Sequence, residues 1–340
     1  MLDASVKTAL RKDPAGAAIV ASWRRLTGGR EVRDPHRRTL VAVSGGCDSS
    51  ALLLALAAAT DNLVAAHIVH DFRSPAEALA DRDTAAGLAQ RLGIPFVEGH
   101  IQARRVGGNL EAASRRLRYH ELARLAAEQA CPYLVTAHHA DDLLETMLMR
   151  LIRGTGPAGL APIRARRRLT GVTIVRPMLA ITRADAERLC TLAGHHWATD
   201  ATNSDTSRLR NDLRATVLPH LRRLSPLVSQ KAAVTSELVG EAAAIIRAHA
   251  RRLLQQATRL ENSLAWPRTR LRRTPRIILG ELLRTAARDL ADGWHMDRLS
   301  HRVLQGALRA IKDHSTDPRT FEWSHLRVHV LANEVRIERT

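Results

Sequence analysis

Thr39-Leu40-Val41-Ala42-Val43 runs directly into Ser44-Gly45-Gly46-Cys47-Asp48-Ser49-Ser50, and an Ala/Leu-rich stretch follows without a break. The first run is a short apolar segment of the kind that forms a buried strand, and residues from about Asp48 to Ala58 have the composition of a helix. Between them, two glycines let the backbone approach a ligand closely and adopt positive φ. The serines offer hydroxyl donors, and the first amides of the helix point at an anion. Asp48 would repel phosphate unless it held Mg²⁺, so its place in the turn argues for a metal-bridged polyphosphate. The chain contains no Gly-Lys-[Ser/Thr], which excludes a Walker-A loop.

Outward from this turn, residues 39–180 alternate between short apolar runs and longer helical patterns. Strands are expected at Leu63–Val69, Pro95–Glu98, Tyr133–Thr136 and Val172–Val175, and helices at Pro75–Leu92, Asn109–Gln129 and Asp141–Arg153. This alternation predicts an α/β fold, a parallel twisted sheet with helices on both faces. Ligands on such sheets sit beyond the carboxyl ends of the strands. From Thr182 the pattern turns helical: Thr182-Arg183-Ala184-Asp185 reads as a capping box, and 227–260 as a long helix. A proline-bounded arginine cluster, Trp266–Pro275, precedes two further helical patterns and a terminal hairpin, Leu326–Val330 with Val335–Glu338. A domain boundary is expected at 220–226. It separates a catalytic domain, 1–222, from a mainly helical accessory domain with the terminal hairpin, 223–340.

A length of 340 residues allows two or three domains. Hydrophobic residues at 45% and charged residues at 25% exclude a disordered chain. The longest uncharged apolar run, Ala51–Ala59, is far short of the ~20 residues of a membrane span. The first residues lack the order of a secretory signal. Three cysteines without a CxxC exclude a disulfide framework and a Cys-based zinc site, and a cytoplasmic location is expected. Net charge is +18, carried almost wholly by arginine, since Lys7, Lys12, Lys231 and Lys312 are the only lysines. Residues 221–340 hold 22 basic against 12 acidic residues, and 1–220 hold 30 against 22. The shorter part is the more basic per residue, which points to a polyanionic partner. Aromatics at 3% argue against base-stacking platforms.

The turn at 44–49 resembles the SGGxDS pyrophosphate loop of the N-type ATP pyrophosphatases, the PP-loop superfamily, with an adenine-nucleotide alpha-hydrolase-like fold. Further runs resemble one family within it, the tRNA(Ile)-lysidine synthases. These are His67-Ile68-Val69-His70-Asp71-Phe72-Arg73, then Asn109-Leu110-Glu111 through Arg115, Arg118 and Tyr119, and then Ala137-His138-His139-Ala140-Asp141-Asp142 with Glu145-Thr146. Arg176-Pro177-Met178-Leu179, Asp200-Ala201-Thr202-Asn203 and Arg210-Asn211 with Arg214 follow in the family's order, so the likeness covers roughly 39–224. Asp71, Val69 and Thr202 depart from the family's usual glycine, aspartate and serine.

The resemblance implies ATP-dependent adenylation of the wobble cytidine of the isoleucine tRNA with a CAU anticodon. Free L-lysine then attacks to give lysidine, AMP and pyrophosphate, which changes codon and amino-acid specificity. It implies ATP contacts at Ala42, Val43, Ser44, Gly45, Gly46, Cys47, Asp48, Ser49, Ser50, His67, His70, Arg73 and His138, with Mg²⁺ on Asp48. Asp48, His138, Asp142, Glu145, Arg115 and Arg118 are the expected catalytic set. Arg268, Arg270, Arg272 and Arg273 are the expected tRNA contacts, and Arg183, Arg210 and Arg214 are read as either tRNA backbone contacts or surface salt bridges. No membrane and no protein partner is implied, although a homodimer is compatible with the sequence. Rival readings are a tRNA thiolation enzyme of the same superfamily, a non-catalytic tRNA-binding protein on the same fold, and an amide-forming synthetase acting on a small molecule. The first generally needs active-site cysteines or an iron–sulfur cluster, and no cysteine pair is close in sequence here.

Overall fold

The computed structural model describes residues 2–71, 74–102, 110–197, 208–291 and 299–340. The chain divides into two compact units, Met1–Leu238 and Val239–Thr340. In the first, α1 (Ala4–Lys12) and α2 (Pro14–Leu26) precede any strand, in a region where the residues announce no element. Asp13 joins them: its carboxylate accepts from the amides of Ala15 and Gly16, and Pro14 fills the first helical position, where a missing N–H costs nothing. Then come β1 (Thr39–Ala42), α3 (Cys47–Ala59), β2 (Leu63–His70), α4 (Pro75–Leu92), β3 (Phe96–Ile101) and α5 (Leu110–Glu128). β4 (Tyr133–Val135), α6 (Ala140–Arg153), α7 (Pro157–Leu160), β5 (Arg166–Leu169) and β6 (Val172–Val175) follow. The unit closes with α8 (Arg183–Leu192), α9 (Arg208–Asp212), α10 (Leu218–Leu224) and the first turns of α11 (Val228–Gln255).

The sheet order is β3-β2-β1-β4-β6-β5. All neighbours are parallel except the last pair, in which β5 runs antiparallel to β6. The sheet is thus parallel as expected, with one antiparallel strand added at its edge. Thr170 and Gly171 both take positive φ and turn β5 back on β6 as a two-residue hairpin. Successive strand residues face opposite layers. Val41, Ala65, Val135 and Val175 pack under α1–α4 and α8, whereas Leu40, Val64, Leu134 and Ile174 pack under α5. Leu52, Leu53, Leu54 and Leu56 of α3 are all fully buried. At about 1.5–3 kcal/mol for each, relative to exposure, they fix the helix that carries the turn. β1 lies between β2 and β4, and the chain leaves it first to one side and later to the other. The crevice beyond β1 and β4 is therefore a topological switch point, the usual ligand position on such sheets.

The division at 238 falls inside α11, beyond the expected 220–226. Ala232 with Val228 and Ala233 packs on Leu143, Leu144, Met147 and Leu218, so the start of that helix belongs to the first core. The long helix expected to 260 stops at Gln255. In the second unit β7 (Thr258–Leu260) and β8 (Ser263–Pro267) lead to α12 (Arg268–Arg273), α13 (Arg276–Leu290), α14 (His301–Lys312), β9 (Arg319–Trp323), β10 (Leu326–Val330) and β11 (Glu334–Arg339). The terminal hairpin is present, but it is the centre of a five-stranded antiparallel sheet, β7-β8-β11-β10-β9. Trp266, Trp323, Val328 and Ile337 of that sheet bury against Leu279, Leu283, Leu304 and Leu308. No helix among the described residues is long and apolar enough to cross a membrane.

Candidate active site

The turn after β1 requires glycine twice over at position 45. Its φ is +86°, and a Cβ there would lie 2.8 Å from the Asp81 carbonyl oxygen. Ser49 closes the turn: its hydroxyl accepts from the Ser44 amide at 3.0 Å, donates to the Gly46 carbonyl at 3.0 Å and lies 3.1 Å from the Ser44 hydroxyl. Gly46 has no side chain with which to cap α3, so the helix presents its first amides to an anion.

Asp48, one residue into α3, accepts from Arg183 Nη1 through Oδ2 at 2.6 Å. Its Oδ1 is buried and has no hydrogen-bond partner among the described residues. Burial would raise this carboxyl, but His139 and Arg183 outweigh it and hold it below the ordinary carboxylate range. His139 caps α6: its Nδ1 accepts from the Asp142 amide at 3.4 Å, and the Asp142 carboxylate accepts from the His139 amide at 3.2 Å. Its Nε2 stands 3.6 Å from Asp48 Oδ2 and 3.5 Å from Asp142 Oδ2. Burial would lower the imidazole pKa, yet Asp48, Asp142 and Asp141 lift it above the ordinary value. Asp142 is pushed up, by burial first and then by the neighbouring Asp48 and Glu145 against the pull of His139. Two carboxylates beside one imidazole thus diverge in opposite directions.

Glu145, three residues beyond Asp142 on the same helix face, is 1% exposed and accepts from both Arg210 and Arg214, the latter at 2.5 Å. Asp141 points elsewhere: it accepts from the Arg183 amide (2.9 Å), the Ser229 hydroxyl (2.5 Å) and Arg222 (2.8 Å). Arginine and backbone partners make it a fastening between helices of the first unit.

The opposite wall is cationic. Arg115 Nη2 donates to His138 Nε2 at 3.2 Å, and His138 Nδ1 lies 3.0 Å from the Thr136 hydroxyl. A guanidinium only donates, so Nε2 accepts and the ring is neutral. Burial pushes its pKa well down, and Arg176, Arg115 and Arg118 push it further. Arg176, itself buried, donates to the Tyr119 hydroxyl at 3.0 Å and to the Arg164 carbonyl at 2.7 Å. His67 Nδ1 lies 2.8 Å from the Val43 carbonyl and so carries the proton; burial lowers its pKa.

Between these walls lies a cavity of about 390 Å³, within the range of small-molecule pockets. Ala42, Val43, Ser44, Gly46, Asp48 and Ser49 line it from the turn, with Ala66, His67, Ile68 and His70 from β2 and Asp81 from α4. Arg118, Tyr119 and Leu122 of α5, with Thr136, Ala137, His138 and Asp142, complete it. Most of the expected nucleotide and catalytic residues are therefore brought to one place. Gly45, Cys47, Ser50, Arg115 and Glu145 are not among the lining residues. Cys47 is buried, with its Sγ 3.9 Å from that of Cys190, and Cys131 is buried elsewhere in the core. Arg73, Asn109 and Asp200–Asn203 lie outside the described residues.

Several of the singled-out arginines have partners within the protein. Arg183, Arg210 and Arg214, read as either tRNA contacts or salt bridges, form salt bridges with Asp48 and Glu145. Arg268, expected on the tRNA surface, is 4% exposed and donates to the carbonyls of Ser315, Leu331, Ala310 and Asp313 and to the Asp313 carboxylate. It is a structural knot: its two terminal nitrogens meet five acceptors, while the buried Nε has no partner among the described residues. Arg270 and Arg273 are exposed, and Arg272 is half-exposed with its Nη1 3.3 Å from His314. His139, Asp81 and Arg176 were not singled out by sequence. His139 lay in the quoted run, where a helix N-cap position was its available signal.

The PP-loop domain family model matches residues 21–221. The tRNA(Ile)-lysidine synthase of Thermosynechococcus vestitus is 33% identical over 300 residues, covering 86% of this chain and 84% of that one. That of Geobacter sulfurreducens is 36% identical over 235 residues, 66% of this chain and 48% of its own length, and that of Symbiobacterium thermophilum 40% over 218 residues, 61% and 45%. The chain spans about half the length of the last two relatives. Among solved structures, the U34-tRNA thiolase NcsA of Methanococcus maripaludis with its [4Fe-4S] cluster superposes with a TM-score of 0.57 at 18% identity, over 69% of this chain and 80% of that one, a likeness of fold alone. The chain belongs to the PP-loop domain family and, within it, to the tRNA(Ile)-lysidine synthases.

Proposed function

We propose that this chain uses ATP to adenylate the wobble cytidine of an isoleucine tRNA with a CAU anticodon, and then joins free L-lysine to the activated ring carbon. The observation that carries the reading is a cavity lined both by the anion-binding turn, Ser44–Ser49, and by Asp142, with His139 bridging Asp48 of the turn to Asp142. In-line attack of the ring oxygen on the α-phosphate needs pyrophosphate held and its charge offset. The turn amides, Ser44, Ser49 and Arg118 do this. The partnerless Asp48 Oδ1 is a hard oxygen donor of the kind that takes Mg²⁺ together with phosphate oxygens. When bound, Mg²⁺ offsets charge on the departing phosphates. Neutral His138, held between Arg115 and Thr136, orients the adenylate from the far wall.

The lysine ε-amine has a reference pKa near 10.4, so its free base at pH 7 costs about 4.6 kcal/mol. Asp142 receives that proton as nitrogen attacks and the bond from ring carbon to the AMP oxygen breaks. Its raised affinity for a proton suits it to the role, whereas Glu145 is already committed to two arginines. The second unit, with exposed Arg270 and Arg273, serves tRNA binding by charge. Three buried cysteines, none lining the cavity, fit a reducing cytoplasm and disfavour sulfur transfer. The test is to incubate the chain with ATP, Mg²⁺, labelled lysine and unmodified tRNA. Label in the tRNA is the expected result; incorporation that depends on a sulfur donor, or none, would overturn the reading.

A further inference from the structure

The edge strand β5 carries Arg166, Arg167 and Arg168 in succession, and Arg164 stands two residues earlier. All four side chains are exposed, and none forms an ion pair or side-chain hydrogen bond among the described residues. By contrast, Arg183, Arg210, Arg214 and Arg222 of the same unit are each held by a carboxylate. The strand is rigidly placed: Arg166 pairs with Val175 and Arg168 with Thr173, and the positive-φ pair Thr170-Gly171 closes the hairpin. Its beginning lies at the carboxyl edge of the sheet, since Arg166 stands opposite the last residue of β6. The next residue, Arg176, donates to the Arg164 carbonyl and to Tyr119 in the cavity wall.

We propose that Arg164, Arg166 and Arg168 form a phosphate-binding rail for RNA, gripping the backbone that flanks the nucleotide placed in the cavity. This rests on the functional reading above and gives that site its missing backbone contacts. Arg166 and Arg168 share one face of the fixed strand, roughly 6.6 Å apart, while Arg167 faces the other way. Unpaired guanidiniums so placed suit phosphate, not bases, and no aromatic side chain stands among them for a base to stack on. A base that must leave its stack to react needs its neighbouring phosphates held, and the rail begins where the cavity wall ends. The competing role for charge on an edge strand is to prevent edge-to-edge pairing between molecules.

The experiment compares the full chain with R164Q/R166Q/R168Q, using an anticodon stem-loop RNA and the whole tRNA across a salt series, with ATP binding and thermal unfolding as controls. The expected result is about tenfold or more weaker binding of both RNAs and a log–log salt slope shallower by about three, one for each contact removed. ATP binding and melting temperature stay unchanged. A lysine version, R164K/R166K/R168K, should keep most of the affinity because it keeps the charge. Unchanged affinity and slope would overturn the rail, as would a variant whose only new property is self-association by sedimentation. A parent chain that binds neither RNA would instead sink the functional reading.

Discussion

Arg183 Nη1 meets Asp48 Oδ2 at 2.6 Å, across 135 residues of sequence. One end of the pair sits in the anion-binding turn and the other at the start of α8, whose capping box Thr182–Asp185 fixes the direction of the arginine. Asp48 is thereby held ionised with one oxygen engaged and the other left over.

Replacing Arg183 with alanine should therefore harm nucleotide use before it harms folding. A charged hydrogen bond of about 1.5–3 kcal/mol is lost at Asp48, which corresponds to a ten- to hundredfold fall in kcat/KM for ATP. The tRNA dissociation constant should be unaffected. A variant with weakened tRNA binding and normal ATP kinetics would make Arg183 the tRNA contact that the sequence alone left open.

Gly45→Ala should cost about 1–3 kcal/mol, because a left-handed backbone must carry a side chain whose Cβ meets the Asp81 carbonyl at 2.8 Å. Thermal unfolding measures the loss, and isothermal titration with ATP should show binding reduced along with it. An alanine variant with unchanged melting and unchanged ATP affinity would contradict the geometry.

Asp142→Asn and Glu145→Gln should separate chemistry from stability. Glu145 is buried beneath two partly exposed arginines, so its neutralisation weakens two charged hydrogen bonds and costs about 1.5–3 kcal/mol. Asp142 is already inclined to hold a proton, so its asparagine should fold normally yet lose lysine incorporation. Equal melting temperatures for the two variants would count against this division.

The His139 imidazole binds its proton more tightly in the folded chain than in the unfolded one, whose value is 6.5. Its stabilisation is complete below that pH and disappears as pH rises through the higher folded value. His139→Gln should accordingly depress the melting temperature most near pH 6 and progressively less toward alkaline pH. A difference that stays constant across the series would show that the proton is not involved.

A chain with Cys47, Cys131 and Cys190 all changed to alanine should still incorporate lysine, since no cysteine lines the cavity. Stability alone should suffer, by about 1 kcal/mol or more for each buried thiol removed. Loss of activity in a folded, ATP-binding variant would revive sulfur chemistry.

Local signals were readable in the sequence and distant partnerships were not. Strand, glycines and helix around Ser44–Ser49 announce themselves within a dozen residues, and the Thr182–Asp185 capping box is a spacing rule that the structure reproduces. β5 escaped notice because three adjacent arginines show no alternation of polarity, and β7–β9 because their short runs lie among helical patterns. Arg268 was misread because a charge cluster looks solvated whether its members meet water or buried carbonyls. His138 and His139 are neighbours in sequence, but one ends a strand segment and the other begins a helix, so they serve opposite walls. Glu145 and its two arginines are 65 and 69 residues apart, a pairing that only folding reveals.

The fastening of Ser229 to Asp141 bears on how the molecule can be taken apart. Severing the chain at 222, where composition invites the cut, would strip away Ser229 and Ala232 and expose Leu143, Leu144 and Met147, the underside of the helix that displays Asp142. A nucleotide-binding fragment worth purifying must run past Leu238 and keep that borrowed length of helix as a splint.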